Sequence, residues 1–302
     1  MGATFLIFAG SRFLVDPVMV YLIGVGDLDA EEASFTQEDY DRARAHLNLD
    51  KPLIVQYVLW ISKIAQGDFG EDLGDEGRPI FDNIKKKIPI TLRLAIPAYI
   101  LAALVGIPVG GYASIRRGTI SDIILRGVAA LGSAAPEFWV AIVAIYMFAV
   151  KFPILPIAFI GEGFTFKHYI LPVSVMGLTS TAGYIRLVRS TMLEVLDSEY
   201  VKLARAKGLS HREIIWKHAF RNALLAPLTV AGLMFVGFLT GSVAVELVFA
   251  WPGIARYAVV AVQNNNLPVL VATTLLITLT YVIVTFTVDI LYGLIDPRIR
   301  YS

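Results

Sequence analysis

The chain has 302 residues, of which 56% are apolar and 17% charged, and its formal net charge at pH 7 is +1. Soluble domains are about 45–50% apolar and about 25% charged, so a soluble fold of this length could not bury so much apolar surface. The near-neutral charge excludes a nucleic-acid-binding domain, and the lack of cysteine excludes disulfides and cysteine-ligated zinc. The composition predicts a multi-pass membrane protein.

Long apolar stretches predict the membrane spans, because a helix needs about 20 apolar residues to cross the hydrocarbon core. Five stretches reach this length, at residues 89–114, 127–150, 169–193, 224–248 and 267–294. A sixth stretch, residues 3–26, is apolar but contains Arg12, Asp16 and Pro17. The predicted fold is an all-α membrane protein with about six transmembrane helices.

The first apolar stretch is too short for an ordinary crossing. Fourteen residues precede Val15, and fourteen helical residues rise about 21 Å, against a core of roughly 30 Å. Extending the helix to Gly24 would place Asp16 and Pro17 inside the membrane. We therefore expect the first helix to be truncated at its N-terminus, which N-terminal sequencing of the native protein would test.

Residues 27–88 form a polar, acid-rich segment after this first stretch. Within it, residues 52–65 read PLIVQYVLWISKIA and place apolar side chains at helical spacing. This pattern predicts an amphipathic helix with Pro52 near its first turn. Two positions stay open for this helix, one on the membrane surface and the other over the extracytoplasmic mouth.

The basic residues of the short loops set the predicted orientation of the spans. One set of loops and ends is rich in them: Arg116, Arg117, Arg126, a cluster from Arg186 to Arg221, Arg298 and Arg300. The opposite set holds only Lys151, Lys167 and Arg256. Because positive residues stay on the cytoplasmic side, both termini are predicted to be cytoplasmic. The predicted organisation is a partial first helix at 1–26, an extracytoplasmic segment at 27–88 and a core of five transmembrane helices at 89–302.

The cytoplasmic loop at 193–227 is too long and too regular for a simple connection. Apolar residues at helical spacing predict a first helix, capped by Asp197 or Ser198 and ended by Gly208. A second helix is predicted after Ser210, which can form a capping box with the glutamate three residues later. From composition alone, the loop is either a basic pair of helices on anionic lipid or a docking element for a soluble partner.

The order of residues favours the docking element. The loop contains EYV at 199–201, ARAKGL at 204–209 and HAFRNAL at 218–224. Further segments occur in order along the chain, namely LDKP at 49–52, GDFG at 67–70, PEFW at 136–139, ELVFAWPG at 246–253 and DPR at 296–298. Together they resemble the permeases of binding-protein-dependent ABC transporters, in the dipeptide/oligopeptide/nickel family, whose EAA loop matches residues 193–227. The sequence departs from the family pattern in two places. Lys202-Leu203-Ala204 stands where the general pattern has Glu-Ala-Ala. Of the turn that ends the family's first helix only Val15-Asp16-Pro17 is matched, and this match would place Asp16 outside the membrane.

This resemblance implies a type I ABC importer permease fold and a set of partners. These are a second homologous permease, two cytoplasmic ABC ATPases, an extracytoplasmic solute-binding protein and the lipid bilayer. The implied cargo is short peptides, with nickel chelates and oligosaccharides left open. The chain has no G-x-x-x-x-G-K-[ST] motif, so ATP and Mg²⁺ are expected on the partner ATPases, with no enzyme activity and no cofactor on this chain.

The resemblance also implies which residues of the loop contact the ATPase. The expected contact positions are Glu199, Tyr200, Ala204, Arg205, Ala206, Gly208 and Leu209. Among them, Ala204 would allow close approach and Arg205 would pair with an acidic residue of the ATPase groove. Arg221 and Asn222 are better suited to holding the start of the fifth span.

Polar residues within the spans are the candidates for a translocation path. The predicted lining residues are Glu137, Ser174, Thr179, Ser180, Thr181, Tyr184 and Thr278. A hydroxyl in a membrane helix can instead bond the carbonyl four residues before it, which is the alternative for each of the hydroxyl residues. Glu137 is costly in a membrane and should face water or a partner.

Other kinds of membrane protein fit the sequence less well. A proton-coupled carrier usually has several ionisable residues at mid-membrane, whereas the four histidines here fall in loops or at span ends. An intramembrane enzyme would need a nucleophile–base pair or a metal cluster within the spans, and no such motif occurs. A passive channel would leave the two-helix cytoplasmic loop unexplained.

Overall fold

The computed structural model of the chain describes residues 2–14, 17–23, 35–72, 74, 77–157, 165–241 and 243–295. These residues are almost entirely helical, and two short strands, β1 (Glu71–Asp72) and β2 (Arg78–Pro79), pair in antiparallel fashion. The chain divides into two compact units. The first comprises Met1–Thr91 and Pro252–Thr280, and the second comprises Leu92–Trp251 and Tyr281–Ser302.

The first unit contains the N-terminal helices and a few later segments. Its helices are α1 (Gly2–Leu14), α2 (Pro17–Ile23), α3 (Gln37–His46), α4 (Leu53–Ala65), the start of α5 (Ile80–Ile115), α14 (Ile254–Gln263) and the first half of α15 (Leu267–Ile295). The predicted first span, 3–26, corresponds to α1 and α2, and neither reaches the length of a crossing helix. The predicted position of Asp16 lies outside the described residues.

The helix predicted at 52–65 is present as α4, with Pro52 as its N-cap. Its inner face packs on α1, where the Tyr57 ring meets the Phe5 ring edge-on at 5.3 Å and its hydroxyl lies 2.7 Å from the Thr4 hydroxyl. Its outer face is also apolar and exposed, with Ile54 and Val58 the most exposed side chains. The helix therefore needs an apolar environment on that side as well.

A buried carboxylate, Asp72, holds the strand pair of the first unit against α5, α14 and α15. Its side chain accepts hydrogen bonds from the Tyr257 hydroxyl at 2.5 Å, Asn266 Nδ2 at 2.7 Å and Asn83 Nδ2 at 3.1 Å. The backbone amide of Gly74 donates to the same carboxylate. These donors satisfy a charge that would otherwise be costly to bury.

The second unit contains the remaining helices, several of them long. They are the rest of α5, α6 (Ile120–Ala134), α7 (Glu137–Ile145) with a π-helical turn at Tyr146–Lys151, α8 (Phe166–Leu196), α9 (Glu199–Ala206), α10 (His211–Glu213) with a π-helical segment at Ile214–Phe220, α11 (Arg221–Ala223), α12 (Leu225–Gly241), α13 (Val243–Val248) and the rest of α15.

The single span predicted at 127–150 is corrected by the structure, because α6 and α7 meet at an angle of 98°. The break lies at Ala135 and Pro136, where Ala135 has an extended backbone with φ −74° and ψ 126°. Proline disfavours helical geometry in the residue before it and provides no amide hydrogen to continue the helix. Pro136 therefore ends one helix and begins the next.

Three helices of the described chain are long and apolar enough to cross a membrane: Ile80–Ile115, Val230–Val248 and Leu267–Val288. The bent pair of α6 and α7 adds a fourth if it counts as one span. The prediction at 169–193 falls within α8, which is long enough, but its lysine, histidine and arginine residues lower its hydropathy.

Glycines bring α5 and α8 into close contact. Gly106 and Gly110 form a G-x-x-x-G pair on α5, and a Cβ added to Gly110 would lie 2.8 Å from the Ile185 carbonyl oxygen. On the facing helix, a Cβ at Gly177 would lie 3.0 Å from the carbonyl oxygen of Ala98. Small residues of this kind let two membrane helices pack backbone to backbone.

Replacing Gly110 with leucine should therefore separate α5 from α8. The new side chain would meet α8 backbone, which cannot move aside as a flexible side chain could, and overpacking of this kind costs about 1–3 kcal/mol or more. Thermal unfolding of the detergent-solubilised permease should show a lower Tm. The matched control is Gly127→Leu, since nothing lies within 4 Å of a Cβ at Gly127. Equal Tm values for the two variants would contradict the proposed packing role.

Candidate functional site

The first helix of the loop at 193–227 ends as the sequence predicts. Ser198 is the N-cap of α9, and Gly208 follows its C-cap with φ +77°. The Leu209 amide donates to the Ala204 carbonyl at 3.3 Å and the Gly208 amide donates to the Arg205 carbonyl at 3.0 Å. These two bonds form a Schellman motif, which requires a left-handed residue at Gly208.

The second helix of the loop begins with the predicted capping box. The Glu213 amide donates to Ser210 Oγ at 3.3 Å, and the Ser210 hydroxyl donates to the Glu213 carboxylate at 3.0 Å. The helix then continues through the π-helical segment Ile214–Phe220 into α11. The sequence carries no signal for this π-helical segment, a feature often found at functional sites.

The two helices of the loop share a small core. Val201, Ala204 and Ile214 are buried against one another, with Val195 and Leu209 packed beside them. Ala204 and Leu209, two of the predicted contact positions, therefore face the second helix of the loop in this structure. A small residue at Ala204 permits this close approach.

The loop is fixed to the C-terminal end of α8. Met192 of α8 is fully buried against Ile215, Ala219 and Ala223 of the second helix. Across the loop, Asn222 Nδ2 donates to the Tyr200 hydroxyl at 3.1 Å. An apolar core thus joins the loop to α8, and a polar contact joins the two helices of the loop to each other.

The outer surface of the loop combines charges with exposed apolar residues. Glu199, Arg205, Ala206 and Gly208, all predicted contact positions, are exposed, and Tyr200 is 43% exposed. Two exposed apolar side chains that sequence reasoning missed are Leu203 at 58% and Trp216 at 57%. Both follow from helical spacing, since each lies opposite the buried face of its helix.

A cavity of about 380 Å³ lies in the second unit and brings together three of the predicted path residues, Glu137, Thr179 and Ser180. We name it the hydroxyl cavity, and its other lining residues are Ser133, Met176, Gly183, Arg186, Met234, Gly237 and Phe238. Gly183, Arg186 and the α12 residues were not predicted, because helix packing and not local sequence places them here.

The other predicted path residues lie elsewhere. Thr181 and Tyr184 are buried on α8, Ser174 is half-buried, and none of them lines the hydroxyl cavity. Thr278 belongs to the first unit. The Thr181 hydroxyl donates to the carbonyl of Gly177 at 2.8 Å, and Thr278 bonds its own helix in the same way. These hydroxyls satisfy their own backbone, as the alternative interpretation predicted, and so does the hydroxyl of Thr179, which donates to the Val175 carbonyl at 2.8 Å.

A second cavity, of about 370 Å³, is rich in arginine and was also not predicted. We name it the arginine cavity, and its charged lining residues are Arg117, Arg126, Arg186, Arg189, Glu194 and Asp197. The carboxylate of Asp122, which is almost fully buried, accepts from Arg189 Nε at 2.8 Å and Nη2 at 3.0 Å. In the part of the chain that is described, no group of three histidine, aspartate or glutamate side chains is placed to bind a metal.

One face of α8 lines both cavities. Arg186 lines both cavities. The other lining residues on α8 are Met176, Thr179, Ser180 and Gly183 for the hydroxyl cavity, and Ile185, Arg189, Ser190, Leu193 and Glu194 for the arginine cavity. The distance along the helix from Met176 to Glu194 is eighteen residues, about 27 Å, close to the thickness of the hydrocarbon core.

Comparison with known proteins supports a transport role. A profile described as "binding-protein-dependent transport system inner membrane component" matches residues 106–301. The chain is 34% identical to the dipeptide transport system permease protein DppB of Escherichia coli (strain K12), across 100% of this chain and 95% of that protein. It is also 34% identical to the oligopeptide transport system permease protein AppB of Bacillus subtilis (strain 168), across 89% and 88%.

Solved structures share the fold at low sequence identity. A chain of the MetNI methionine ABC transporter in an inward-facing conformation matches with a TM-score of 0.57 and 15% identity, over 70% of this chain and 96% of that one. A chain of an amino acid ABC transporter matches with a TM-score of 0.55 and 17% identity, over 72% and 94%. With the matched profile and the full-length relatives, these findings place the chain in the family of binding-protein-dependent transport system inner membrane components.

Proposed function

We propose that this protein is a membrane subunit of an ATP-driven ABC importer that moves short peptides into the cell. Relatives named as dipeptide and oligopeptide permeases support the peptide cargo, because the similarity to them extends over nearly the whole chain. The chain lacks a Walker A motif, which supports ATP and Mg²⁺ binding by two separate ATPase subunits. A second permease and an extracytoplasmic solute-binding protein complete the proposed importer.

The proposed topology has six crossings with both termini in the cytoplasm. Residues 1–26 contribute a partial first helix, residues 27–88 form an extracytoplasmic segment, and residues 89–302 contribute five crossings. The long apolar helices α5, α12–α13 and α15 support three of these, and the bent α6–α7 pair and α8 account for two more. The arginine-rich loops support the orientation.

The observation that carries the proposed mechanism is the attachment of the two-helix loop to α8 through buried Met192. We propose that the ATPase grips the exposed face of this loop through Glu199, Arg205 and the two apolar side chains Leu203 and Trp216. Tyr200, Ala206 and Gly208 lie at the same exposed surface. Ala204 and Leu209 act beneath that surface, where they keep the two helices of the loop together.

We propose that solute passes along the face of α8 that lines the two cavities. Because α8 is one continuous helix from Phe166 to Leu196, a movement of the loop is transmitted to the residues of the hydroxyl cavity. Glu137, Thr179 and Ser180 would meet the solute there. Ser174, Thr181, Tyr184 and Thr278 have a supporting role in this proposal, since they do not line that cavity.

Reconstitution tests the proposed function directly. Proteoliposomes with both permeases, both ATPases and the binding protein should accumulate a labelled short peptide only when ATP is present. Omission of the ATPases should abolish uptake. Accumulation against a gradient without them would show a secondary transporter, and ATP-independent equilibration would show a passive channel.

Replacing Leu203 with glutamate should weaken assembly with the ATPase. An apolar contact at the centre of an interface is commonly worth about 2 kcal/mol or more, so the Kd should rise by a factor of roughly 30. Affinity measured with purified ATPase in detergent checks this result. The matched control is Ile120→Glu, since Ile120 is 76% exposed and lies outside the loop. Unchanged affinity for Leu203→Glu would contradict the proposed contact.

A further inference from the structure

Two unpaired opposite charges line the hydroxyl cavity. We propose that this cavity binds both charged ends of a short peptide in transit, with Glu137 contacting the α-ammonium group and Arg186 contacting the α-carboxylate. The inference rests on the proposed function, peptide import. It goes further by stating which part of the peptide the permease recognises.

Glu137 and Arg186 both line the cavity and are available to a ligand. Among the described side chains, neither of the two takes part in an ion pair or a hydrogen bond, with each other or with a third residue. An unpaired charge in a membrane protein is costly and marks a substrate pathway more often than a structural feature. A zwitterionic ligand would satisfy both charges at once.

The arginines nearby show that Arg186 differs from its neighbours. Arg189 and Arg126 both lie within ion-pair distance of Asp122, and Arg117 pairs with Asp197 at 3.2 Å. Of the four arginines that line the arginine cavity, Arg186 is the one that also lines the hydroxyl cavity. Its guanidinium can therefore form a bidentate contact with a ligand carboxylate without breaking an existing pair.

The size of the cavity suits a short peptide. Its volume of about 380 Å³ lies within the range of small-molecule sites, roughly 300–1,000 Å³. Thr179 and Arg186, which both line the cavity, are seven residues apart along α8, an axial distance of about 10 Å. An extended chain of three residues has about the same length.

The remaining walls suit a ligand whose side chains vary. Met176, Met234 and Phe238 line the cavity with flexible or flat apolar surface, and methionine adapts to ligands of different shape. Ser133 and Ser180 add hydroxyls that can bond peptide amides. The two charges thus recognise the termini that all short peptides share, and the apolar walls accept the side chains that differ between peptides.

The test compares peptides whose ends are blocked. Proteoliposomes with the complete importer are supplied with labelled trialanine, its N-acetyl form or its C-terminal amide. In Arg186→Gln, the ratio of free-peptide uptake to amidated-peptide uptake should fall about tenfold from its wild-type value, as expected for one lost charge-assisted hydrogen bond. The ratio of free-peptide uptake to acetylated-peptide uptake should stay at its wild-type value. In Glu137→Gln, the ratio of free-peptide uptake to acetylated-peptide uptake should fall, and the ratio of free-peptide uptake to amidated-peptide uptake should stay at its wild-type value. Because the same binding protein delivers the peptides to every variant, its own preference cancels in the comparison.

Several controls separate this inference from the proposed function. Arg116→Gln removes an exposed arginine outside both cavities and should keep both ratios. ATP hydrolysis stimulated by the binding protein shows whether each variant is assembled. Should Arg186→Gln fail to assemble, Arg186→Lys should lower the amide ratio by a smaller factor, because lysine keeps the charge but not the bidentate geometry. Uptake with wild-type ratios in these variants would overturn the inference, whereas wild-type proteoliposomes that show no ATP-driven uptake of trialanine would overturn the proposed function.

Discussion

Replacing Gly208 with valine will uncouple the permease from its ATPase while the membrane helices stay inserted. Gly208 has φ +77°, and a residue with a side chain pays about 1–2 kcal/mol in this left-handed region, with β-branched residues affected most. Nothing lies within 4 Å of a Cβ at this position, so backbone strain and not crowding would cause the loss of coupling. Relief of the strain would break the Schellman bonds and withdraw Leu209 from the core of the loop.

The measurement is ATPase binding and peptide uptake by the purified variant, with membrane insertion checked by protease protection. Gly208→Asn is the conservative control and should keep most of the activity, because asparagine tolerates the left-handed region. Gly118→Val is the matched control outside the loop, since Gly118 has φ +79° and equally open surroundings. Normal coupling in Gly208→Val would mean that the turn does not position the loop.

Replacing Asp122 with alanine will strongly destabilise the second unit. Asp122 on α6 is 1% exposed and accepts both hydrogen bonds from Arg189 on α8, whose side chain is 18% exposed. Removal of one partner leaves the other charge buried and unpaired, which costs about 3–5 kcal/mol. The free energy of unfolding of the solubilised permease should fall by this amount and its Tm should drop accordingly.

Two further variants decide whether the pair itself is responsible. The double replacement Asp122→Leu with Arg189→Met removes both charges and should recover most of the stability, since apolar side chains often replace a buried pair without loss. Asp197→Ala breaks the exposed pair with Arg117 and should change stability by less than about 1 kcal/mol. If Asp197→Ala and Asp122→Ala are equally destabilising, burial of the Asp122 pair has no special role.

Local sequence signals predicted the two-helix loop well. Ser198, Gly208 and the Ser210–Glu213 capping box all lie where the sequence indicates, because caps depend on hydrogen bonds between residues close in the chain. The helix at α4 follows from apolar spacing in the same way. The family could also be predicted, since its segments occur in order along the whole chain.

Features that depend on packing between distant residues could not be predicted. The prediction of one span at 127–150 relied on the length of the apolar stretch and did not allow for Pro136, where the chain bends by 98°. Hydroxyl residues gave candidates for the path, but only helix packing determines that Thr179 lines a cavity while Thr181 is buried. Ala204 was predicted to allow close approach to the ATPase, which stays a prediction, and its burial against Ile214 of the second helix depends on packing within the loop.

The glycine contact between α5 and α8 determines which cavity wall can move. Backbones that pack this closely at Gly106, Gly110 and Gly177 cannot slide past one another without a clash, and separating them would lose close packing, so we expect the two helices to move together. We therefore expect a movement of the loop to shift α8 and α5 together relative to Glu137 of α7, which lines the hydroxyl cavity. In this mechanism the hydroxyl cavity would change its shape on the side of α7, next to the bend at Pro136.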